Sequence, residues 1–117
     1  MKLTFKARDK AEELGILESR WIAVENQTMW RFSSNFINLM AYNKITPSTR
    51  VDKMLDPVLE YLAIYRGWTK PDFDRFDNDK EAKQEMFMMT LFLYKMMTEI
   101  YRRGIHYDLD GGPSDQL

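Results

Sequence analysis

Leu17 to Asn43 reads LESRWIAVENQTMWRFSSNFINLMAYN, a stretch with no proline or glycine for the length of a long helix. Between Asn26 and Asn43 its only formal charge is Arg31. Trp21, Met29, Phe32, Phe36, Leu39 and Met40 project within roughly a third of a helix circumference at about 100° per residue. That spacing predicts one helix over 17–43 with an aromatic stripe facing the core. Trp30 and Ile37, seven apart, form a smaller apolar strip on its flank. The remaining arc holds Gln27, Thr28, Arg31, Ser34, Asn35, Asn38 and Tyr42.

A helix face in open water is usually rich in Lys and Glu, which combine helix propensity with solvation. Asn, Ser and Thr are poorer helix formers because their side chains compete for backbone hydrogen bonds. Three readings of the arc follow. It is a plain polar surface, or a face turned to another protein chain, or a pocket in which Arg31 and the amides hold an anionic small molecule or nucleotide while Trp30 stacks. A straight helix of this extent is about 40 Å long, whereas a compact chain of this size is about 35 Å across. The mismatch favours an elongated bundle, or a dimer whose long helices pair.

Upstream, Met1 to Phe5 alternates loosely as a short strand or arm, and Lys6 to Leu14 suits a helix. Gly15 stands as its C′ residue, with Ile16 able to fold back. Downstream, Thr46-Pro47 opens a second helical segment, with Thr49 and Asp52 as a competing start. Val51, Met54, Leu55, Val58, Leu59 and Leu62 make its apolar stripe, and Arg66-Gly67-Trp68 ends it. Pro57 either kinks it or divides it in two. In the connection Thr69–Asp79, Phe73 and Phe76 turn inward. The last helix, about Asp79 to Arg103, starts near Asn78 and buries Met86, Met89, Leu93, Met96, Met97 and Ile100. Met88 and Phe92 stand a turn apart on its far side, where exposed Met and Phe favour aggregation unless something covers them. They form a second candidate contact surface. The expected fold is therefore all-α: a small helical bundle of three long helical segments plus a short N-terminal helix or arm. Residues 1–105 form a single domain, and 106–117, ending DLDGGPSDQL, a mobile tail.

A net charge of −1 argues against general attraction to nucleic acid or anionic membrane. With no cysteine, disulfide and thiolate chemistry are excluded. The start MKLTFKARDKAEEL lacks the apolar run of a signal peptide, and no stretch is long and apolar enough to span a bilayer. A cytoplasmic protein is expected.

Catalytic chemistry finds few residues. His106 is the sole histidine and lies in the tail. Asp52, Asp56 and Glu60 line one side of the second segment without a matching carboxylate set to share a Mg²⁺. Asp72, Asp74, Asp77 and Asp79 resemble a calcium loop, but counting from Asp77, Ala82 stands where glycine is required and Met88 where the bidentate Glu belongs. Arg50 and Lys53 are too diluted by acids for a DNA-reading helix. No catalytic residue, metal or cofactor is expected. The reading that remains is a non-enzymatic protein–protein interaction module (adaptor, assembly factor or inhibitor) that also self-associates, most simply as a homodimer. Its contact residues are Gln27, Trp30, Arg31, Ser34, Asn35, Ile37 and Asn38, with Met88 and Phe92 second. The alternative is a small-molecule or nucleotide-binding module around Arg31. A nucleic-acid-binding protein or a carboxylate Mg²⁺ hydrolase has least support.

Overall fold

The computed structural model describes residues 2–102; the expected tail 106–117, with His106, lies outside the described residues. The chain is mostly helical but not all-α, and the correction falls on the stretch expected to be the longest helix. Leu17–Ile22 (β1) and Gln27–Phe32 (β2) form an antiparallel hairpin, and only Ser34–Tyr42 (α2) is α-helical. The register pairs Leu17 with Phe32, Glu18 with Arg31, Ser19 with Trp30 and Ile22 with Gln27.

Three local features overrule the helical spacing. Asn26 adopts the left-handed conformation (φ 52°, ψ 45°) at the end of a 3-10 turn, Ala23–Glu25, and Asn is the side chain after glycine that tolerates it best. The flanking residues are rich in Trp, Ile, Thr, Met and Phe, and most of these favour pleated pairing. Ser33 then caps α2, its Oγ accepting the Phe36 N–H at 3.3 Å. Of the poor helix formers on the expected arc, Thr28 thus sits in a strand, Ser34 and Asn35 at a helix start, and Asn38 within α2.

The first helix, α1 (Lys2–Leu14), ends as its glycine indicates. The Gly15 N–H donates to Glu12 O and the Ile16 N–H to Ala11 O, both at 2.9 Å, closing a Schellman turn with Gly15 at φ +87°. Ile16 and Leu17 enter the core, and the Ser33 N–H donates to Ile16 O at 2.8 Å to close the hairpin base. α2 ends the same way. Lys44 is left-handed (φ 57°), and the Ile45 N–H returns to Met40 O.

Pro47 does not open a helix. A 3-10 turn, Val51–Met54, runs directly into α3, Leu55–Tyr65. Pro57 lies in the first turn of α3, where a missing N–H leaves no intrahelical bond unmade. Of the two expected alternatives, a kink or a division, the proline thus lies nearer the second, just inside the start of α3 after the 3-10 turn. Gly67 (φ +69°) reverses the chain, and Trp68 stacks edge-on with Phe73 and Phe76 of α4, Lys70–Asp77. Asp79, rather than Asn78, caps α5 (Lys80–Arg102): its Oδ1 accepts the Ala82 N–H.

Among the described residues the core gathers around α5, whose Met86, Met89, Leu93 and Met97 are buried together with Phe32, Phe36, Met54, Val58 and Leu62. Each large side chain so buried contributes about 1.5–3 kcal/mol. No helix among the described residues is long and apolar enough to cross a membrane.

Two stability predictions follow from these turns. A Cβ on Gly15 meets the Tyr61 hydroxyl oxygen at 2.6 Å in a left-handed backbone, so Gly15→Ala is expected to cost about 1–3 kcal/mol; an unchanged melting temperature contradicts the turn. At the α4 start, hydrogen bonds from the Thr69 N–H (2.8 Å) and the Thr69 hydroxyl (2.9 Å) hold the Asp72 carboxyl below its ordinary pKa, with Arg75 assisting. A depressed folded-state value stabilises the fold above the unfolded pKa of about 3.9, and that contribution is lost as pH falls through the folded value. Asp72→Asn should melt below wild type at neutral pH, with the gap closing in acid. A gap that is constant with pH refutes this.

Candidate functional site

α5 is apolar on two sides. Beyond the core stripe, Met88, Leu91, Phe92 and Met96 are each half-buried, and with Ala7 of α1 they line an open groove of about 420 Å³. Lys95 and Glu99 complete the lining. The three- and four-residue steps from 88 to 99 place all six α5 residues along one strip. Ala7 contributes a small side chain where a larger one would fill the groove. Near the other end of the strip Lys6 Nζ reaches Glu85 Oε2 at 3.0 Å, tying α1 to α5. Lys95 is exposed and makes no ion pair among the described residues.

The structure therefore places Met88 and Phe92, singled out in the sequence, side by side in this groove. Leu91, Met96 and Ala7 were not foreseen as its companions. Leu91 and Met96 carry the same spacing signal as Met88 and Phe92. Ala7 could be joined to them only by knowing that α1 lies against α5.

The other expected contact residues do not share a face. Gln27 sits at the turn end of β2, with its Nε2 donating to Glu25. Trp30 is half-buried beneath Arg8, whose guanidinium carbon lies 4.4 Å from the ring centroid, a cation–π contact that clamps α1 to the hairpin. Arg31 Nε donates to Glu18 Oε1 across the strands at 3.1 Å. Ile37 is buried in the core rather than lying on a flank. Ser34, Asn35 and Asn38 belong to α2, where Asn35 and Asn38 are exposed and Ser34 is half-buried. These three keep a common side of α2 by their three- and four-residue spacing, while the hairpin separates Gln27, Trp30 and Arg31 from them.

The hairpin offers a second surface. Its outer half projects beyond the core, with Trp21 58% and Val24 97% exposed. Its base is fixed by Leu17 and Phe32 in the core and by the Ser19 hydroxyl, which donates to Glu12 Oε2 of α1 at 2.7 Å.

Acidic side chains do not converge. Asp52 faces Arg50 at 3.6 Å, and Glu60 accepts from Asn43 Nδ2 at 2.6 Å. No group of three or more His, Asp or Glu is placed to hold a metal ion among the described residues. The Tyr61 hydroxyl, buried against Gly15, has its pKa pushed up by burial, and Glu18 and Tyr65 reinforce the shift while Arg66 opposes it. That moves it away from service as a base near neutral pH.

Comparison of the chain with protein-family models, with curated proteins and with solved structures returns no match.

Burial separates the two faces of α5 experimentally. Met89→Ala, at a fully buried position, is expected to cost about 2–5 kcal/mol. Phe92→Ser in the open groove should shift stability far less, within about 1 kcal/mol. Urea unfolding of both variants checks this, and equal losses contradict the groove.

Proposed function

We propose that this chain is a non-enzymatic protein–protein interaction module of the cytoplasm, whose groove between α1 and α5 receives an amphipathic helix of a partner protein. The observation that carries the reading is the second apolar strip on α5. A helix inside a small domain needs one buried face, and Met88, Leu91, Phe92 and Met96 stand outside it, still partly open to water. Methionine suits such a surface because its unbranched, polarisable side chain adapts to differently shaped partners. Helix-in-groove recognition uses apolar anchors at three- and four-residue spacing on the ligand, which matches the spacing of the strip. Exposed Lys95 on the lining favours a ligand helix with a carboxylate beside its anchors. In this role the protein is an adaptor, an assembly factor or an inhibitor, and it also pairs with itself. Support for an anionic ligand around Arg31 is weaker, since the Glu18 carboxylate already occupies that guanidinium.

The test uses the methionine methyl groups as reporters. A helical peptide carrying leucines at i, i+3 and i+7 and one glutamate is titrated into the protein labelled at its methionine methyls. The Met88 and Met96 signals should move while those of buried Met54 and Met89 stay, and Phe92→Glu should abolish the shifts. Groove methyls that stay still at millimolar peptide sink the proposal.

A further inference from the structure

The outward side of α2 is uncharged and complementary to itself. The helix, SNFINLMAY, buries Phe36, Ile37, Leu39 and Met40. At about 100° per residue the remaining five residues span an arc of roughly 120° with Asn38 at its centre. Asn35 and Tyr42 lie to one side of Asn38, and Ser34 and Ala41 to the other. Asn35, Asn38, Ala41 and Tyr42 are exposed as whole residues, Tyr42 by 77%, and Ser34 is half-buried. Among the described residues α2 is the one α-helix with no charged side chain. The side chains of Ser34, Asn35, Asn38 and Tyr42 make no hydrogen bond among the described residues. Asparagine and serine are weak helix formers, and exposed helix positions are ordinarily given to Lys and Glu. On this face they weaken the isolated helix and leave their donors and acceptors open.

That chemistry suits a second copy of the same chain. A residue on a two-fold axis meets its own counterpart. A charge in that place repels itself, whereas an amide carries both donor and acceptor and pairs with itself. We propose that α2 is the self-association site, where α2 of a second copy packs antiparallel about a two-fold axis at Asn38. Each Asn38 amide N–H then donates to the Asn38 carbonyl oxygen of the other copy. Asn35 meets Ala41 and Ser34 meets Tyr42, each twice, so the bulky phenol lies against a small side chain. No charge on α2 opposes the approach. A single polar asparagine between paired helices fixes their register. Each α2 is about 14 Å long, so the contact falls short of a standard interface of about 1,600 Å², and the pair separates on dilution.

This inference rests on the self-association part of the proposed function and not on the α5 groove. The experiment is the solution mass by light scattering over a concentration series, with helicity followed by circular dichroism. Wild type should rise from one chain mass towards two. Asn38→Glu and Asn38→Lys each place a better helix former at an exposed position. Both should stay folded and raise the dimer dissociation constant by about tenfold or more, because like charges then face each other across the axis. Mixed in equal amounts, the two variants should restore a species of twice the chain mass, since opposite charges now meet. A folded Asn38→Glu that dimerises as wild type does overturns the α2 site while leaving self-association standing. Variants that are monomeric apart and remain so when mixed overturn the two-fold register at Asn38. A wild-type monomer at every concentration overturns both self-association and its site, and leaves the α2 face to another protein. A dimer lost with Phe92→Glu and retained with Asn38→Glu assigns self-association to the groove and overturns the α2 site.

Discussion

The reversal at Gly15 sets the arrangement of everything around it. One left-handed residue ends α1, sends Ile16 back under the helix it has just left, and delivers Leu17 into the core as the first residue of β1. Ile16 then supplies the carbonyl that closes the hairpin at Ser33, whose hydroxyl starts α2. Tyr61 of α3 lies over Gly15, in the space that a side chain would need. Four elements thus meet at a residue with no side chain. The same device recurs at Lys44 and Gly67. In each case the next residue, Ile45 or Trp68, turns inward to join or flank the core. At Lys44 the left-handed backbone carries a side chain, a conformation costing about 1–2 kcal/mol, which the returning Ile45 helps to offset by burial.

Much of this was legible in the sequence because the signals were long or chemically specific. α5 sustains its apolar spacing over about four turns, and Gly15 and Gly67 follow helices where αL residues belong. The hairpin was not legible because its strands are short. Six residues hold three alternations, and Trp21, Met29 and Phe32 happen to extend the phase of the true helical residues Phe36, Leu39 and Met40 backwards. The warning was present in Asn26, Ser33 and Ser34, which favour turns and caps. Of these only Ser34 stood on the polar arc; Asn26 and Ser33 mark the change of secondary structure that the helical spacing passes over. The candidate contact set divided accordingly. Met88 and Phe92 lie on a helix that exists and stayed together. Gln27 through Asn38 were assembled on a helix that does not exist and dispersed onto a strand and a shorter helix.

α1 touches both the α5 groove and the hairpin. Ala7 lines the α5 groove, Arg8 covers Trp30, and Glu12 accepts the Ser19 hydroxyl of β1. Within about two turns one helix contributes to a helix-sized groove and braces a strand edge.

The methionines of α5 also grade the protein by chemical vulnerability. Met86, Met89 and Met97 are sealed in the core, whereas Met88 and Met96 are only half-covered. An oxidant in the surrounding water reaches the half-covered thioethers first and converts them to sulfoxides, which are polar and bulkier. The groove then loses its apolar character while the interior remains unmodified. A methionine sulfoxide reductase acting on those exposed sites restores it, so oxidative damage begins as a reversible change of surface before it becomes a failure of the fold.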